Sequence, residues 1–251
     1  MEKIRIISRD KRFTYANELF IKNGYDCEIC DPYPVKDADV VLFSPKNELS
    51  DWELDTVISG VKTDALVFTG NKERIKSLCH ARIFDYSESE SFLLDNAYVT
   101  AQCAIKLTFE NTDFSLNGKK ALVLGYGRIG KHLSSMLKSL CADVFIYARR
   151  EESRLEALLN GFKICELKSL DIFDLIYNTV PYKIIKKELS DGIAKDSLVM
   201  ELASSPGGFY DENVATKALG LPGKLMPRSA GKAIYDYVIA TLSELRGEKS
   251  I

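Results

Sequence analysis

A glycine-rich run between two regular segments constrains the fold of this chain more than any other feature. The run Gly125-Tyr126-Gly127-Arg128-Ile129-Gly130 follows the apolar segment 119–124, which is typical of a buried parallel strand. The pattern of residues 131–140 predicts a helix, and a second strand is predicted at 143–148. This order predicts a βαβ unit of about 30 residues, and the glycines within it have G-x-G-x-x-G spacing.

Each glycine of this run has a task that a larger residue would prevent. Gly125 permits a tight turn out of the strand, and Gly127 lets the backbone approach a pyrophosphate without a Cβ in the way. Gly130 allows the helix to pack closely on the strand, and the helix N-terminus offers N–H groups to phosphates. The run therefore predicts a dinucleotide site, whose candidate ligands are Gly125, Tyr126, Gly127, Arg128, Ile129 and Gly130. A glycine-rich turn without a ligand is the alternative.

Two arginines follow the second strand, where an NAD site usually carries an acidic residue that bonds the ribose 2′-hydroxyl. The strand runs into Ala148-Arg149-Arg150, and Glu151 comes late for that role. Guanidinium groups bind phosphate bidentately, so we expect NADP rather than NAD. Arg149 is the principal candidate for the 2′-phosphate, with Arg150 or Arg154 in support. A solvated arginine pair at the start of the next helix is the alternative.

Composition excludes several classes of protein. The 251 residues are 46% hydrophobic, as in an ordinary globular protein of one large or two modest domains. The net charge of −2 predicts neither nucleic acid nor an anionic membrane as a partner. No apolar run approaches the roughly 20 residues of a membrane span, and Met1-Glu2-Lys3 leads directly into a strand, so we expect a cytoplasmic protein. Cys27 and Cys30 form a single C-x-x-C pair, from which no metal site is predicted.

The pattern before the glycine-rich run alternates strands and helices. The predicted strands are residues 3–8, 25–30, 38–43, 65–69 and 81–85. A helix is predicted at 12–23, and a capping box at residues 50–53 begins another. The fold class is therefore α/β: a Rossmann doubly wound parallel sheet plus a smaller flavodoxin-like α/β N-terminal domain, with two linking helices.

The two linking helices divide the chain. A second capping box at residues 87–90 predicts a long helix to about residue 110, and residues 228–246 predict an amphipathic helix. We expect an N-terminal domain at 1–90, a connecting helix at 91–112, a Rossmann domain at 113–227, and a C-terminal helix at 228–251. The last helix is expected to return toward the N-terminal domain.

Further candidates follow later strands of the Rossmann domain, at the sheet edge where ligands bind. These are Asn178, Thr179, Val180, Pro181 and Ala203. Asn178 and Thr179 are predicted to contact the nicotinamide ribose, and the turn with Gly207 and Gly208 to let backbone pass close to a flat ring. Arg228, near the start of the last helix, suggests a carboxylate pocket. Plain turns and a simple helix start are the alternatives.

Together these motifs resemble the family of dipicolinate synthase A subunits. The resemblance rests on residues 122–130, 147–149, 178–181, 202–208, 220–223 and 227–231, and it covers roughly residues 92–245 well. It implies NADP-dependent oxidation of a dihydro- or hydroxytetrahydrodipicolinate to dipicolinate. It also implies that the partner is a flavoprotein-like B subunit and that the location is the mother cell of a spore-forming bacterium. The oligomeric state stays open, a homo-oligomer included.

A dicarboxylate substrate needs cationic or polar anchors. The substrate-binding candidates are Arg228, Ser229, Lys46, Arg12, Asp10 and Gln102, with Arg9 as a further cation.

The chain departs from the family at two places. The family carries Thr-x-Glu-Gly where this chain reads Thr100-Ala101-Gln102-Cys103, and glutamine cannot accept a proton, so no catalytic residue is assigned. The first strand runs into Ser8-Arg9-Asp10 rather than Gly-Gly-Asp. The alternative functions are therefore a catalytically weak NADP(H)-binding sensing or scaffolding subunit, and a dehydrogenase of another small carboxylate.

Overall fold

A computed structural model describes residues 2–46 and 48–247 of the chain. The backbone forms two compact units, one comprising the chain up to Asn96 together with the segment from Pro222 onward, the other Ala97–Leu221. Residues 1 and 47 of the predicted first domain and residues 248–251 of the predicted last helix lie outside the described residues. Within the described ranges, no helix is both long and apolar enough to cross a membrane.

The first unit contains a five-stranded sheet in the order β2-β1-β3-β4-β5, with every neighbouring pair parallel. Its strands are β1 (Lys3–Ile7), β2 (Asp26–Ile29), β3 (Val40–Phe43), β4 (Leu66–Thr69) and β5 (Arg82–Asp85). This is the flavodoxin-like order, whose connections reverse direction between β1 and β3. The predicted flavodoxin-like domain is therefore confirmed.

Helices cover both faces of this sheet. They are α1 (Lys11–Lys22), α2 (Asp51–Ile58), α3 (Lys72–Lys76), α8 (Leu221–Leu225), α9 (Pro227–Leu245) and the beginning of α4 (Glu90–Asn111). Ile4 and Ile6 of β1 pack with α1 and α9, whereas Ile7 packs on the opposite face with α2 and α3. Strands buried on both faces explain the continuous apolar runs in the sequence.

Close contact between α1 and α9 depends on a glycine. A Cβ added at Gly231 would lie 2.3 Å from the carbonyl oxygen of Arg12 and 3.1 Å from Cβ of Tyr15. Ala233, Ile234 and Val238 of α9 are buried in the core of the first unit. The C-terminal helix is thus an integral layer of that unit.

The second unit contains a six-stranded parallel sheet in the order β11-β10-β9-β6-β7-β8. Its strands are β6 (Lys120–Leu124), β7 (Asp143–Tyr147), β8 (Lys163–Ile164), β9 (Leu175–Asn178), β10 (Leu198–Glu201) and β11 (Thr216–Lys217). Its helices are α5 (Arg128–Ser139), α6 (Glu151–Leu159), α7 (Lys187–Ser190) and the remainder of α4. Numbered from β6, this is the Rossmann order 3-2-1-4-5-6, so the predicted Rossmann sheet is confirmed.

Of the two predicted capping boxes, one is confirmed and the other is wrong. Ser50 accepts a hydrogen bond from the N–H of Glu53, whose carboxylate accepts one from the N–H of Ser50. Ser87 instead lies in a 3₁₀ turn, and α4 begins two residues later than predicted from a Ser87 cap, with Ser89 Oγ accepting from the N–H of Phe92 at 3.2 Å. The later start buries Phe92, which the core of the first unit requires.

Candidate coenzyme site

Two glycines in the turn between β6 and α5 lie where a side chain would clash with neighbouring atoms. Gly125 has a φ of +99°, a region that favours glycine, and an added Cβ would lie 2.6 Å from Thr179 Oγ1. A Cβ at Gly130 would lie 2.2 Å from the carbonyl oxygen of Gly125. Any side chain at either position would push strand, turn and helix apart.

Gly127 differs, because a Cβ added there would meet nothing within 4 Å. This residue is the N-cap of α5, no side chain of the described residues caps it, and the first turn of α5 contains no acidic residue. The positive end of α5 and its N–H groups therefore remain available to an anion. These features fit the pyrophosphate of a dinucleotide.

A groove of about 260 Å³ runs past this turn, between the ends of β7 and β9. Its position outside the carboxyl ends of the strands is where doubly wound sheets bind ligands. The predicted cofactor residues that line it are Gly125, Tyr126, Gly127, Arg149, Arg150, Thr179, Val180 and Pro181. Tyr182 and Ser153, which the sequence pattern did not single out, also line it. Among the described residues, no carboxylate lines this groove.

The three arginines near the end of β7 have different surroundings. Arg149 and Arg150 are exposed at the groove, and the Arg149 guanidinium carbon lies 5.4 Å from the centre of the Tyr182 ring. Arg154 Nη1 donates to the carbonyl oxygens of Ala148 and Arg149, at 3.3 and 2.7 Å. Arg154 therefore fixes the backbone that carries Arg149, a role that the sequence does not reveal.

Tyr126, Arg128 and Ile129 belong to the turn and the first turn of α5, and Tyr126 anchors the loop. Its ring is buried and lies 5.8 Å from Phe162, edge to face. Its phenolic oxygen accepts a hydrogen bond from Asn160 Nδ2 at 3.2 Å. Burial raises the pKa of Tyr126 despite this hydrogen bond, so the phenol stays neutral. The loop is thereby attached to the segment that follows α6.

The structure does not present the Asn178 side chain to a ribose, in contrast to what the sequence pattern predicts. Asn178 is completely buried: its amide nitrogen donates to Glu201 Oε1 at 2.6 Å and to the Val180 carbonyl at 2.9 Å. Its amide oxygen accepts from the N–H of Val180 at 3.1 Å. Thr179 Oγ1 likewise donates inward, to the Leu124 carbonyl at 2.8 Å. Both side chains hold the groove wall, and Val180 and Pro181 form its surface.

Glu201, which the sequence pattern did not indicate, organises the ends of β9 and β10. Its carboxylate is buried and accepts from Asn178, from the N–H of Ala203 at 3.0 Å and from the N–H of Gly208 at 2.7 Å. An added Cβ would lie 2.8 Å from Glu201 Oε2 at Gly207, and 2.5 Å from the Asn178 amide at Gly208. These glycines therefore make room for a buried Asn–Glu pair. The approach of this turn to a flat ring stays a prediction.

In the first unit, Asp10 and Arg12 form a buried ion pair. Arg12 Nε and Nη2 donate to one carboxylate oxygen of Asp10 at 3.0 and 2.6 Å, and Asp10 caps α1 by accepting from the N–H of Arg12. Burial acts to raise the pKa of Asp10, but the hydrogen bonds and charge of Arg12 outweigh it and hold that pKa below its usual value. Because Arg12 is 4% exposed and already paired, it is not the free anion anchor that the sequence predicts.

The other predicted substrate residues are more accessible. Lys46, just after β3, is exposed, and its charge acts on the carboxylate of Asp10 at the β1/β3 switch point. Arg228 and Ser229 are exposed in the first turn of α9, and the Arg228 guanidinium carbon lies 5.4 Å from the centre of the Tyr15 ring. Arg9 is instead paired with Glu53 at 2.7 Å. Arg9 is exposed as well, so Lys46 and Arg228 are the exposed cations among these candidates for which the described residues provide no ion pair.

Gln102 and Cys103 lie on α4 in the second unit. Gln102 is partly exposed, whereas Cys103 is fully buried, and burial raises the pKa of its thiol to about 11. A buried neutral thiol is not a nucleophile at neutral pH. Within residues 2–46 and 48–247, no cluster of three or more His, Cys, Asp or Glu side chains is arranged to hold a metal ion.

Comparison with known proteins shows which family the second unit resembles. The model for the S-adenosyl-L-homocysteine hydrolase NAD-binding domain matches residues 96–224. The A subunit of dipicolinate synthase from Bacillus subtilis (strain 168) is 27% identical over an alignment that covers 89% of this chain and 84% of that protein.

Solved structures show the same fold. The dipicolinate synthase A chain from Bacillus subtilis superposes with a TM-score of 0.81 at 20% identity, covering 99% of this chain and 98% of that one. The D-lactate dehydrogenase of Escherichia coli superposes with a TM-score of 0.64 at 12% identity, covering 99% and 98%.

The resemblance to dipicolinate synthase A subunits that the motifs indicate is confirmed. The family model identifies residues 96–224 as an NAD-binding domain, which agrees with the predicted nicotinamide coenzyme. Since the family model covers more than half of the 251 residues, the chain belongs to the family of the S-adenosyl-L-homocysteine hydrolase NAD-binding domain.

Proposed function

We propose that this chain is the NADP-dependent dehydrogenase component of a dipicolinate synthase, which oxidises a dihydro- or hydroxytetrahydrodipicolinate to dipicolinate during spore formation. The proposal rests on similarity to a dipicolinate synthase component over 89% of the chain. The observation that carries it is the groove beside Gly127, which has Arg149 and Arg150 at one end and no carboxylate among its described lining residues.

The charge of the groove favours NADP over NAD. An NAD site holds the ribose 2′-hydroxyl with a carboxylate, which would repel a 2′-phosphate. Here the exposed guanidiniums of Arg149 and Arg150 lie at the end of β7, where that carboxylate would be. Charge-assisted hydrogen bonds to phosphate are about twice as strong as neutral ones, so the extra phosphate increases affinity.

The chain positions coenzyme and substrate, and a nicotinamide bound in the groove supplies the hydride acceptor. The N-terminus of α5 holds the pyrophosphate, with Gly127 leaving room for it. The Asn178–Glu201 pair keeps the loops after β9 and β10 in fixed positions at the groove wall. Rigid walls reduce the entropy lost when the ligand is ordered.

Recognition of the dicarboxylate is assigned to Lys46, Arg228 and Ser229. Lys46 and Arg228 are exposed cations, and Ser229 lies beside Arg228 at the N-terminus of α9. Asp10 and Arg12 hold the start of α1 rather than the substrate. Gln102 can contribute hydrogen bonds, but it cannot accept the proton that aromatisation of the ring releases.

Product formation tests the reaction directly. Purified protein is incubated with NADP⁺ and a freshly generated lysine-pathway dihydrodipicolinate, with and without a flavoprotein-like B subunit, and ultraviolet absorbance of dipicolinate is recorded. We expect absorbance to rise with NADP⁺ when both proteins are present. Coenzyme binding without any dipicolinate under these conditions would reject the proposed reaction.

A second candidate function is an NADP(H)-binding sensing or scaffolding subunit with little catalysis. Gln102 favours it, because a neutral amide stands where the related family carries a glutamate. The variant Gln102→Glu separates the two candidates. A higher rate of dipicolinate formation in the variant would indicate a base lost from this chain, whereas strong activity of the unaltered protein would exclude the second candidate.

A further inference from the structure

Arg149 has an aromatic neighbour that reaches it from the opposite side of the groove. Tyr182, 57% exposed, follows the Val180-Pro181 wall after β9, and Arg149 follows β7. β9 and β7 are the two neighbours of β6, so the contact between the side chains spans the end of β6, where the glycine turn begins. The contact therefore lies across the groove.

This ring is the contact that orients the Arg149 guanidinium. Within the described residues, the Arg149 side chain makes no hydrogen bond or ion pair, and its guanidinium carbon lies 5.4 Å from the centre of the Tyr182 ring. An exposed arginine has many rotamers, and binding a phosphate with it costs side-chain entropy. A cation–π contact at this distance restricts the guanidinium before any ligand arrives.

The two contacts of the guanidinium are compatible. A guanidinium meets an aromatic ring through its planar face, whereas it binds a phosphate through the N–H groups at its edge. Arg149 is therefore able to keep the Tyr182 ring and receive a phosphate at the same time. Among the described residues, no aromatic ring supports Arg150 in this way, although it lines the same groove.

We propose that Tyr182 is a positioning residue for the coenzyme's 2′-phosphate, acting through Arg149, and that it increases the preference of this site for NADP over NAD. The proposal rests on the proposed NADP-dependent function, and it names a side chain that increases the preference for NADP. The competing role of Tyr182 is direct stacking on the adenine ring, which NADP and NAD share.

Calorimetric titration with NADP⁺ and NAD⁺ tests the proposal, because the two coenzymes differ only in the 2′-phosphate. We expect Tyr182→Leu to weaken NADP⁺ binding about two- to fivefold, the loss of one exposed cation–π contact, and to leave NAD⁺ binding unchanged. Tyr182→Phe keeps the ring and should bind both coenzymes like the unaltered protein. Tyr210→Leu removes a similarly exposed tyrosine, 59% exposed and absent from the groove lining, and should change neither affinity.

The Arg149→Ala background determines whether Tyr182 acts through the arginine. There, Tyr182→Leu should have no further effect on NADP⁺ binding. An equal loss of NADP⁺ and NAD⁺ in Tyr182→Leu, or an additional loss in the Arg149→Ala background, would overturn the proposal in favour of adenine stacking. Full NADP⁺ preference in Tyr182→Leu would also overturn it, while leaving the proposed function intact.

The same titrations separate this proposal from the proposed function. If the unaltered protein binds both coenzymes equally, the NADP assignment fails and the role of Tyr182 fails with it. If it prefers NADP⁺ but forms no dipicolinate, the reaction is rejected, and the Tyr182 variants still decide the positioning role.

Discussion

In the proposed function, a single charged side chain at the end of β7 selects NADP over NAD. Arg149 is exposed there, held by the backbone that Arg154 fixes and by the ring of Tyr182. The nature of residue 149 is visible in the sequence, because it follows an apolar strand at a fixed distance from the glycine run. Its surroundings are not, because Tyr182 lies more than 30 residues away along the chain and depends on the strand order.

We expect Arg149→Ala to weaken NADP⁺ binding about 10- to 100-fold and to leave NAD⁺ binding nearly unchanged. The variant removes hydrogen bonds between a charged donor and a phosphate, which contribute about 1.5–3 kcal/mol. Isothermal titration calorimetry measures both affinities. Arg9→Ala, which removes an exposed arginine of the first unit, is the matched control and should bind both coenzymes normally. Equal weakening of the two coenzymes by Arg149→Ala would contradict the 2′-phosphate role.

Glu201 is a residue whose importance only the structure reveals. We expect Glu201→Gln to lower the free energy of unfolding by about 1–3 kcal/mol, because the new amide group presents N–H donors to the N–H groups of Gly208 or Ala203 and to Asn178. Urea denaturation measures the change. Glu212→Gln is the control: Glu212 is solvent-exposed and its carboxylate pairs with Lys183 and Lys217 at the surface end of each lysine, so a change within about 0.5 kcal/mol is expected. An unchanged midpoint for Glu201→Gln would show that the pair is dispensable.

At the scale of the elements, apolar runs located the strands well, and their ends less well. Residues 38–43 contain β3, which begins only at Val40. The local sequence does not show whether Ser87 or Ser89 caps α4, because the burial of Phe92 in the core selects Ser89. Arg12 illustrates the same limit in the site: its sequence position marks it as a cation near a strand end, but only packing shows that Asp10 neutralises it.

Packing of α9 on α1 gives a prediction for Gly231. We expect Gly231→Ala to destabilise the first unit by about 1–3 kcal/mol, because a Cβ 2.3 Å from the Arg12 carbonyl forces the two helices apart. Chemical denaturation followed by far-ultraviolet circular dichroism measures the loss. Gly192→Ala, where the nearest atom would be 3.5 Å away, is the control and should change stability little. Equal stability of Gly231→Ala and the unaltered protein would mean that α9 shifts without cost.

The start of α1 gives a prediction for acid stability. The pKa of Asp10 is lowered in the folded state, so its contribution is fully present above its ordinary pKa of 3.8 and is lost as the pH falls through the lower folded value. We therefore expect Asp10→Asn to be less stable at neutral pH, and the difference from the unaltered protein to shrink below about pH 4. Unfolding midpoints measured across this range test the sign; a difference that grows in acid would contradict it.

At the scale of the whole molecule, each unit places polar residues at the switch point of its own sheet. In the first unit Lys46 and the ion-paired Arg9 are exposed there, and in the second unit the groove beside Gly127 occupies the equivalent edge. Because alternating strands and helices indicate parallel sheets that bind ligands at the carboxyl ends of their strands, this level of organisation was predictable from sequence. The division inside α4, between Asn96 and Ala97, was not, since the helical pattern runs through it without a break.

The dicarboxylate is assigned to residues of the first unit and the coenzyme to the groove of the second unit. A substitution at one site should therefore leave binding at the other unchanged. We expect Arg228→Ala to raise the KM for the dicarboxylate about tenfold or more, because a charged contact with a carboxylate is lost, and to leave NADP⁺ affinity unchanged. Steady-state kinetics and calorimetry measure the two quantities. Lys224→Ala, an exposed lysine on the preceding helix α8, serves as control and should alter neither. A normal KM in Arg228→Ala would remove this arginine from the substrate site.

Gly127 alone among the three glycines of its run faces open space, whereas Gly125 and Gly130 face their own backbone neighbours or the Thr179 side chain. Stability and ligand binding thus act on different positions of one short motif. In a lineage that stopped using its coenzyme, the first and third glycines would still be maintained by the need to fold. Position 127 would then be the first of the three to accumulate larger residues, so drift at that site is the evolutionary signature of a lost cofactor.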